Sequence, residues 1–290
     1  MMVEHVYRFG LVGYPLAHSL SPRIHNAALE ATSLAGAYRL YPVEPLPTGE
    51  PVLEKLMIAL RTGELDGLNI TIPHKQSVIP FMDRMTEGAQ EIGAVNTIYR
   101  DGSCLVGENT DASGFATDMI EVMGHRPEKA IVLGAGGAAR AVCYALMKFN
   151  CEIYLAARRI QQAEQVIEHF RSTGMRAGRM HAISLESGVL RGSLEGVELV
   201  VNSTPVGMSP KVDCSPWPEE VPFPPNAVVY DVVYNPRETR LVMDARRAGL
   251  QAVSGLGMLL RQAGLAFTCW TGKDAPIEAM RKVVEGEFSR

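Results

Sequence analysis

The apolar residues of this chain come in two spacings that alternate along its length. Short runs rich in Val, Ile, Leu, Tyr and Phe read as strands, and longer stretches with apolar positions three and four apart read as helices. The first half offers strands at "YRFGLVG", "AYRLYPV" and "LDGLNIT", separated by helices at "SPRIHNAALEATSL" and "EPVLEKLMIALRTG". "AVNTIYRDGSCLVGENT" reads as a hairpin turning around Asp101 and Gly102, because Asp-Gly between two apolar runs favours a tight reversal. The first sheet is therefore expected to be mixed. A second series begins near residue 112 with the helix "DASGFATDMIEVMG", the strand "KAIVLG", a glycine turn and the helix "AARAVCYALMKF". It continues with strands at "EIYLAA", "RMHAI", "ELVVNST" and "AVVYDVV". Such alternation predicts parallel α/β architecture. Seven of the 21 residues from Pro205 to Pro225 are proline, so an extended loop is expected there. After residue 255, "GLGMLLRQAGLAFTCW" and "APIEAMRKVVEGEF" predict two helices with no strand between them.

Composition narrows the class. A chain of 290 residues suits about two domains, and 47% hydrophobic with 21% charged residues places it among globular proteins. The net charge of −4 and pI near 6.0 leave no basic footprint for nucleic acid, although a local pair of arginines can still hold one phosphate. The cysteines at 104, 143, 151, 214 and 269 are odd in number and lack CxxC spacing, which points to a reducing cytoplasm and away from a zinc knot. His18 and His25 lack metal-binding spacing, so no metal site is expected. The start "MMVEHVYRFGLVG" has an early acid and reads as a first strand rather than a signal peptide. The longest apolar window, "AIVLGAGGAARAVCYALMKF", carries Arg140, Lys148 and a glycine cluster, so it reads as strand, turn and helix rather than as a membrane span.

Four stretches carry candidate chemistry. "IVLGAGGAARA" places Gly134, Gly136 and Gly137 between an apolar strand and a helix, where a tight turn lets a pyrophosphate approach the amides of the helix N-terminus; a packing turn is the alternative. A reader of NAD usually carries an acid at the end of the next strand. Here "CEIYLAARR" ends in Arg158 and Arg159, with Glu152 at the wrong end. Cations at a helix start oppose the dipole, so a 2′-phosphate gives these guanidiniums a reason to be there and favours NADP. In "GYPLAHSLSPRIHN", Ser19 and Ser21 lie two apart, a spacing that puts both hydroxyls on one side of an extended turn. Ser21 followed by Pro22 also suits a helix cap. Finally Asn69, Thr71, Asn96, Thr97, Asn109 and Thr110 gather at expected strand ends, where buried amides and hydroxyls need partners that a polar ligand could supply. Asp111 after them is placed to cap a helix.

In order along the chain, "GYPLAHSLSPRIHN", "NITIPHKQSV", "GAVNT", "GENTDASGF", "GAGGAARA", "NSTPVGM", "DVVYNPRET" and "SGLGMLLRQA" resemble the motif series of the shikimate dehydrogenases, within the shikimate/quinate dehydrogenase family. The resemblance spans nearly the whole chain. It implies a substrate-binding catalytic domain over residues 1–112, with helices of 258–290 packing back on it, and a Rossmann-type NADP-binding domain over 113–257. The implied activity is NADP-dependent reversible oxidation of shikimate to 3-dehydroshikimate, run as a reduction in aromatic amino-acid biosynthesis. Matching motifs imply that Ser19 and Ser21 hold the substrate carboxylate, and that Asn69, Thr71, Asn96, Asp111 and Gln262 meet ring hydroxyls, with Tyr234 nearby. Lys75 and Asp111 resemble the family's catalytic pair. Gly134, Gly136, Gly137 and Ala138 would meet the pyrophosphate, and Arg158 with Arg159 the 2′-phosphate. Thr204, Met208, Val232, Gly255 and Met258 would surround the rest of the cofactor.

The chain departs from that pattern twice. The family's usual Asn-Arg-Thr is Ala157, Arg158 and Arg159, which removes an amide and a hydroxyl and adds a charge, and the proline usual after "DVVYNPRET" is Arg240. For Lys75 two roles stay open, transfer of the alcohol proton or stabilisation of developing alkoxide charge. The expected partner is a small-molecule substrate, with no nucleic acid and no membrane, and the chain is expected to be a monomer or homodimer in the cytoplasm. Alternative readings are a quinate/shikimate dehydrogenase using NAD, a dinucleotide-sensing regulator without turnover, and a methylenetetrahydrofolate-type dehydrogenase, whose folate substrate would not call for the paired serines.

Overall fold

The computed structural model describes residues 5–288. They form two compact units, one made of the residues up to Thr110 together with those from Leu260 onward, the other of Asp111–Leu259.

The first unit is built from β1 (Tyr7–Gly13), α1 (Ser21–Ala31), β2 (Gly36–Pro42), α2 (Glu50–Thr62), β3 (Gly67–Ile70), β4 (Arg84–Met85), α3 (Glu87–Ile92), β5 (Thr97–Asp101) and β6 (Cys104–Glu108). The sheet runs β2-β1-β3-β5-β6-β4. It is mixed, as expected: β1 is parallel to β2 and β3, whereas β5 runs antiparallel to both β3 and β6. The hairpin closes one residue later than its sequence predicts. Asp101 pairs with Cys104, and the turn residues are Gly102 and Ser103, with Gly102 at φ 62°. On the sheet, Val12, Leu68, Ile70 and Ile98 pack with Leu53, Leu56, Met57 and Leu60 of α2, whose apolar spacing is that of a helix lying on a sheet.

The second unit opens within α4 (Thr110–Met123) and continues through β7 (Lys129–Leu133), α5 (Gly137–Lys148), β8 (Glu152–Ala157), α6 (Ile160–Ser172), β9 (Met180–Ser184), α7 (Ser187–Gly192), β10 (Leu199–Asn202), β11 (Val228–Asp231), α8 (Arg240–Arg247) and β12 (Ala252–Ser254). Its sheet runs β12-β11-β10-β7-β8-β9, parallel throughout. Renumbered within the unit, that is the 3-2-1-4-5-6 order of a dinucleotide-binding sheet. Alternate residues serve two cores: Ala130 and Val132 of β7 face one, Ile131 and Leu133 the other. A parallel sheet covered on both faces requires this, and it explains why its strands read as unbroken apolar runs. No regular element occupies 203–227, where the prolines cluster.

The chain ends in α9 (Leu256–Thr271) and α10 (Ile277–Phe288). From Leu260 onward these residues belong to the first unit, and α10 packs along α1. Trp270 of α9 stacks on Phe9 at 4.5 Å and donates from its indole Nε1 to Ile98 O at 3.0 Å. A Cβ on Gly67 would lie 2.2 Å from that nitrogen, so only glycine admits the indole here. Among the described residues no helix is long and apolar enough to cross a membrane, and no group of three or more His, Cys, Asp or Glu is placed to hold a metal ion.

Candidate active site

In the first unit the candidate substrate residues lie where β1 and β3 end. Thr71 N–H donates to Val12 O at 2.8 Å, and Tyr14 N–H to Ile72 O at 2.9 Å. The Thr71 methyl lies so close to Gly13 that a Cβ there would meet it at 2.3 Å, which draws the loop after β1 against the end of β3. His74 and Lys75, neighbours in sequence, then part. His74 is fully buried and Nε2 donates to Val43 O at 2.8 Å, anchoring the turn, while Lys75 is half-buried. The Lys75 carbonyl accepts from Val95 N–H at 2.7 Å, which fixes its backbone one residue away from Asn96.

A buried polar network joins three of the candidates. Asn69 and Asn96 are 5% and 2% exposed, and nearly every hydrogen bond between them has a direction that chemistry dictates. Asn69 Nδ2 lies 3.3 Å from Asn96 O and 3.0 Å from Thr97 Oγ1; a carbonyl only accepts, so the amide nitrogen is on that side. Asn69 Oδ1 then accepts from the Tyr38 hydroxyl at 2.8 Å. Asn96 Oδ1 accepts from Thr110 N–H at 2.8 Å and from Thr97 Oγ1 at 3.1 Å, and Asn96 Nδ2 reaches Thr110 Oγ1 at 2.9 Å and Gln262 Oε1 at 3.4 Å. The Asn and Thr side chains thus partner one another. The expectation that a ligand must supply their partners is corrected to that extent, and Asn109 likewise donates to Ala94 O at 2.9 Å.

Two cap assignments change. Helix α1 begins at Ser21, and its cap residue is Leu20 (φ −85°, ψ −8°), with no side-chain cap. Ser21 is therefore not the cap, and the segment is not extended. Instead Ser19 Oγ accepts from Ser21 N–H at 3.2 Å, which brings the first hydroxyl onto the helix N-terminus, where anions are favoured. Helix α4 begins at Thr110, whose N–H is satisfied by Asn96 from another strand end. Asp111 lies inside the first turn and is 5% exposed, so it is not the cap either.

In the second unit Gly134 has φ 104°, and a Cβ there would meet Thr204 and Ser203, so the turn requires glycine. Gly134 N–H donates to Ala156 O at 2.8 Å, which holds the turn beside the end of β8. Gly136 precedes α5 in extended conformation with no side-chain cap, and nothing lies within 4 Å of where its Cβ would be. That open cradle over uncapped helix amides fits a pyrophosphate. Gly137 opens α5 and Ala138 follows, both half-buried. Arg158 and Arg159 follow β8 directly, are exposed, and stand at the start of α6, where Arg159 is the cap residue and gives no side-chain cap. The chemistry of the cradle and of the two guanidiniums suits a dinucleotide carrying an extra phosphate.

At the carboxyl ends of β10 and β11 lies a second buried network that the motifs did not reveal. Asp231 is fully buried and accepts from Thr239 Oγ1 at 2.6 Å, Asn202 Nδ2 at 2.8 Å and Val233 N–H at 3.0 Å. Burial pushes its carboxyl up to about 6, partly offset by those three donors. Asn202 Oδ1 in turn accepts from Thr204 N–H at 2.9 Å and Thr204 Oγ1 at 2.7 Å. The Thr204 hydroxyl is therefore committed as a donor to its own loop. Met208 is exposed, Val232 and Tyr234 are half-buried, and Gly255 lies so close to Val232 that a Cβ would meet its carbonyl oxygen at 2.3 Å. Met258 is buried in the core with Phe115 and Tyr230. A cavity of about 380 Å³ lies elsewhere in this unit, between the proline-rich loop and α8, lined by Trp217, Phe223 and Arg240 among others; it includes none of the residues expected to bind substrate or cofactor.

A parallel sheet in this order, a glycine turn opening a helix, and in the first unit a set of oriented amides and hydroxyls at strand ends belong to the dinucleotide-dependent oxidoreductases. Comparison with known proteins narrows that class. The family model for the shikimate dehydrogenase substrate binding domain matches residues 11–98, and that for the shikimate 5'-dehydrogenase C-terminal domain matches 255–285. A shikimate dehydrogenase (NADP(+)) of Moorella thermoacetica is 41% identical over 277 residues, covering 94% of this chain and 91% of that protein. The crystal structure of a shikimate 5-dehydrogenase from Thermus thermophilus in complex with NADP(H) and shikimate matches with a TM-score of 0.80 at 36% identity, over 97% of this chain and 99% of that one. A quinate dehydrogenase from Corynebacterium glutamicum in complex with NAD matches at 0.85 and 30%, over 97% and 99%. The chain belongs to the shikimate dehydrogenase family.

Proposed function

We propose that the chain catalyses the NADP-dependent reversible oxidation of shikimate to 3-dehydroshikimate, working as a reductase in aromatic amino-acid biosynthesis in the cytoplasm. The observation that carries this reading is the whole-length likeness to the Thermus thermophilus enzyme, whose structure holds both shikimate and NADP(H). The absence of an acid after β8, where Arg158 and Arg159 stand instead, supports NADP over NAD.

In this reading the first unit is the substrate domain and the second binds the cofactor. Ser19 and Ser21 hold the carboxylate, and Asn69, Thr71, Asn96, Asp111 and Gln262 hold the ring hydroxyls with Tyr234. Gly134, Gly136, Gly137 and Ala138 receive the pyrophosphate and Arg158 with Arg159 the 2′-phosphate, while Thr204, Met208, Val232, Gly255 and Met258 border the remainder of the cofactor. Bound NADP supplies the acceptor for the hydride that leaves carbon. Lys75 handles the proton on the alcohol oxygen: its amine accepts that proton during oxidation, and its ammonium returns it during reduction. Asp111, directly after the network residue Thr110, is the second member of the catalytic pair.

Mixing the protein with shikimate and NADP+ should produce the near-ultraviolet absorbance of reduced nicotinamide. Binding of NADP with no shikimate-dependent signal would make the chain a sensor rather than an enzyme.

A further inference from the structure

Tyr38 on β2 lies outside the motifs that define the substrate site, and His25 on α1, inside the first of them, has no role in it so far, yet both stand directly behind it. Tyr38 is 3% exposed and His25 is fully buried. Their rings stack with centroids 4.4 Å apart and planes 3° from parallel, and Trp270 closes against both at 5.2 and 6.2 Å. The Tyr38 backbone is also held to α1, because its N–H donates to Asn26 Oδ1 at 2.8 Å. A ring so confined has no freedom to swing its hydroxyl, and that hydroxyl donates to Asn69 Oδ1 at 2.8 Å.

The consequence follows from the directions of the bonds. Asn69 Nδ2 commits its hydrogens to Asn96 O and Thr97 Oγ1, and Thr97 Oγ1 donates onward to Asn96 Oδ1. Without the Tyr38 hydroxyl, Asn69 keeps its donors engaged but its buried carbonyl oxygen loses the 2.8 Å donor and keeps only the neighbouring His25 ring beside it. Such a group is costly to leave unpaired and relaxes by rotating or by admitting water. Either response would move the amide out of the plane it holds beside Asn96.

We infer that Tyr38, braced by the His25 ring, is a positioning residue that holds Asn69 in the orientation needed to meet a substrate hydroxyl. The inference rests on the reading of Asn69 as a substrate contact. Tyr38 acts through Asn69 and need not touch substrate, so its removal should weaken substrate binding only when Asn69 is present.

That condition is testable by a double-mutant cycle. Tyr38→Phe keeps the ring and the stack and removes only the donor. Its KM for shikimate should rise about tenfold, the scale of one buried hydrogen bond, with KM for NADP unchanged and kcat within about threefold. In an Asn69→Ala background the same substitution should change KM for shikimate less than about twofold. An equal rise in both backgrounds, or none in either, would overturn the positioning role while leaving Asn69 as a contact. A normal KM for Asn69→Ala alone would instead remove the reading of Asn69, and the inference with it. If Tyr38→Phe does not fold, His25→Leu takes its place: it removes the brace, keeps the hydroxyl, and should give a smaller rise in KM that again vanishes without Asn69. A rise that persists without Asn69 refutes the inference in this form too.

Discussion

The His25 ring makes the first unit sensitive to acid in a way that can be worked out in advance. It is fully buried, and among the described residues neither ring nitrogen makes a hydrogen bond of good geometry, Asn69 being the neighbour that comes near it. Burial pushes its pKa from 6.5 down to about 3, offset only in part by the neighbouring Asn69 side chain. Between those two values the unfolded chain binds a proton that the folded one refuses. The sign is therefore fixed: the stabilising contribution of neutral His25 is fully present above pH 6.5 and is lost as pH falls toward 3. At about 1.4 kcal/mol per pH unit the complete loss is about 5 kcal/mol, of which about 2 kcal/mol is gone by pH 5. His25→Phe keeps a ring against Tyr38 and cannot titrate. The assay is urea unfolding of both proteins at pH 7.5 and pH 5 in a Trp217→Phe background, so that Trp270, 5.2 Å from His25, is the only tryptophan reporting. The original chain should lose about 2 kcal/mol more than the variant on acidification, whatever the variant costs at pH 7.5. A difference between the two proteins that does not change with pH would mean that His25 does not refuse the proton in the folded chain.

Asp231 has the opposite sign. Its pKa is raised from 3.8 to about 6, so its contribution is greatest below 3.8 and lost as pH rises through 6. Thr239→Val, which removes its 2.6 Å donor, should then cost about 1–3 kcal/mol at pH 7.5 and clearly less at pH 5, where the acid is largely neutral; equal losses in urea unfolding at both pH values would contradict this. Gly67→Ala places a Cβ 2.2 Å from the Trp270 indole and should destabilise the first unit by about 1–3 kcal/mol, read as a lower midpoint in the Trp270 signal. Lys75→Ala should lower kcat at least ~10²-fold with little change in KM, and near-normal turnover would remove Lys75 from the chemistry. Arg158→Ala should raise KM for NADP about tenfold or more while leaving NAD nearly unaffected; equal losses for both cofactors would refute the phosphate role.

How far the sequence could be read depended on the range of the interactions. The strands of the second unit were plain because both faces of β7 and β10 are buried and every residue had to be apolar. The two-residue β4 and three-residue β12 are too short to show a period. The caps of α1 and α4 were misplaced for a different reason: Leu20 turns the chain with its backbone alone, and the partner of Thr110 N–H is Asn96, 14 residues away. The polar cluster was visible as a composition of Asn and Thr at strand ends, but its internal pairing was not. Nor could any local pattern join Tyr38 to Asn69 across 31 residues, or Gly67 to Trp270, since those pairs exist only once the sheet and the last helices have formed. The ordered motifs pointed to the family where geometry alone pointed only to a dinucleotide-dependent oxidoreductase.

The choice of substrate and cofactor defines what this enzyme does. Steady-state kcat/KM for shikimate and for quinate, each with NADP and with NAD, tests it in one set of measurements. Shikimate with NADP should give the highest value of the four, and quinate with NAD giving the highest would make the protein a quinate dehydrogenase using NAD instead.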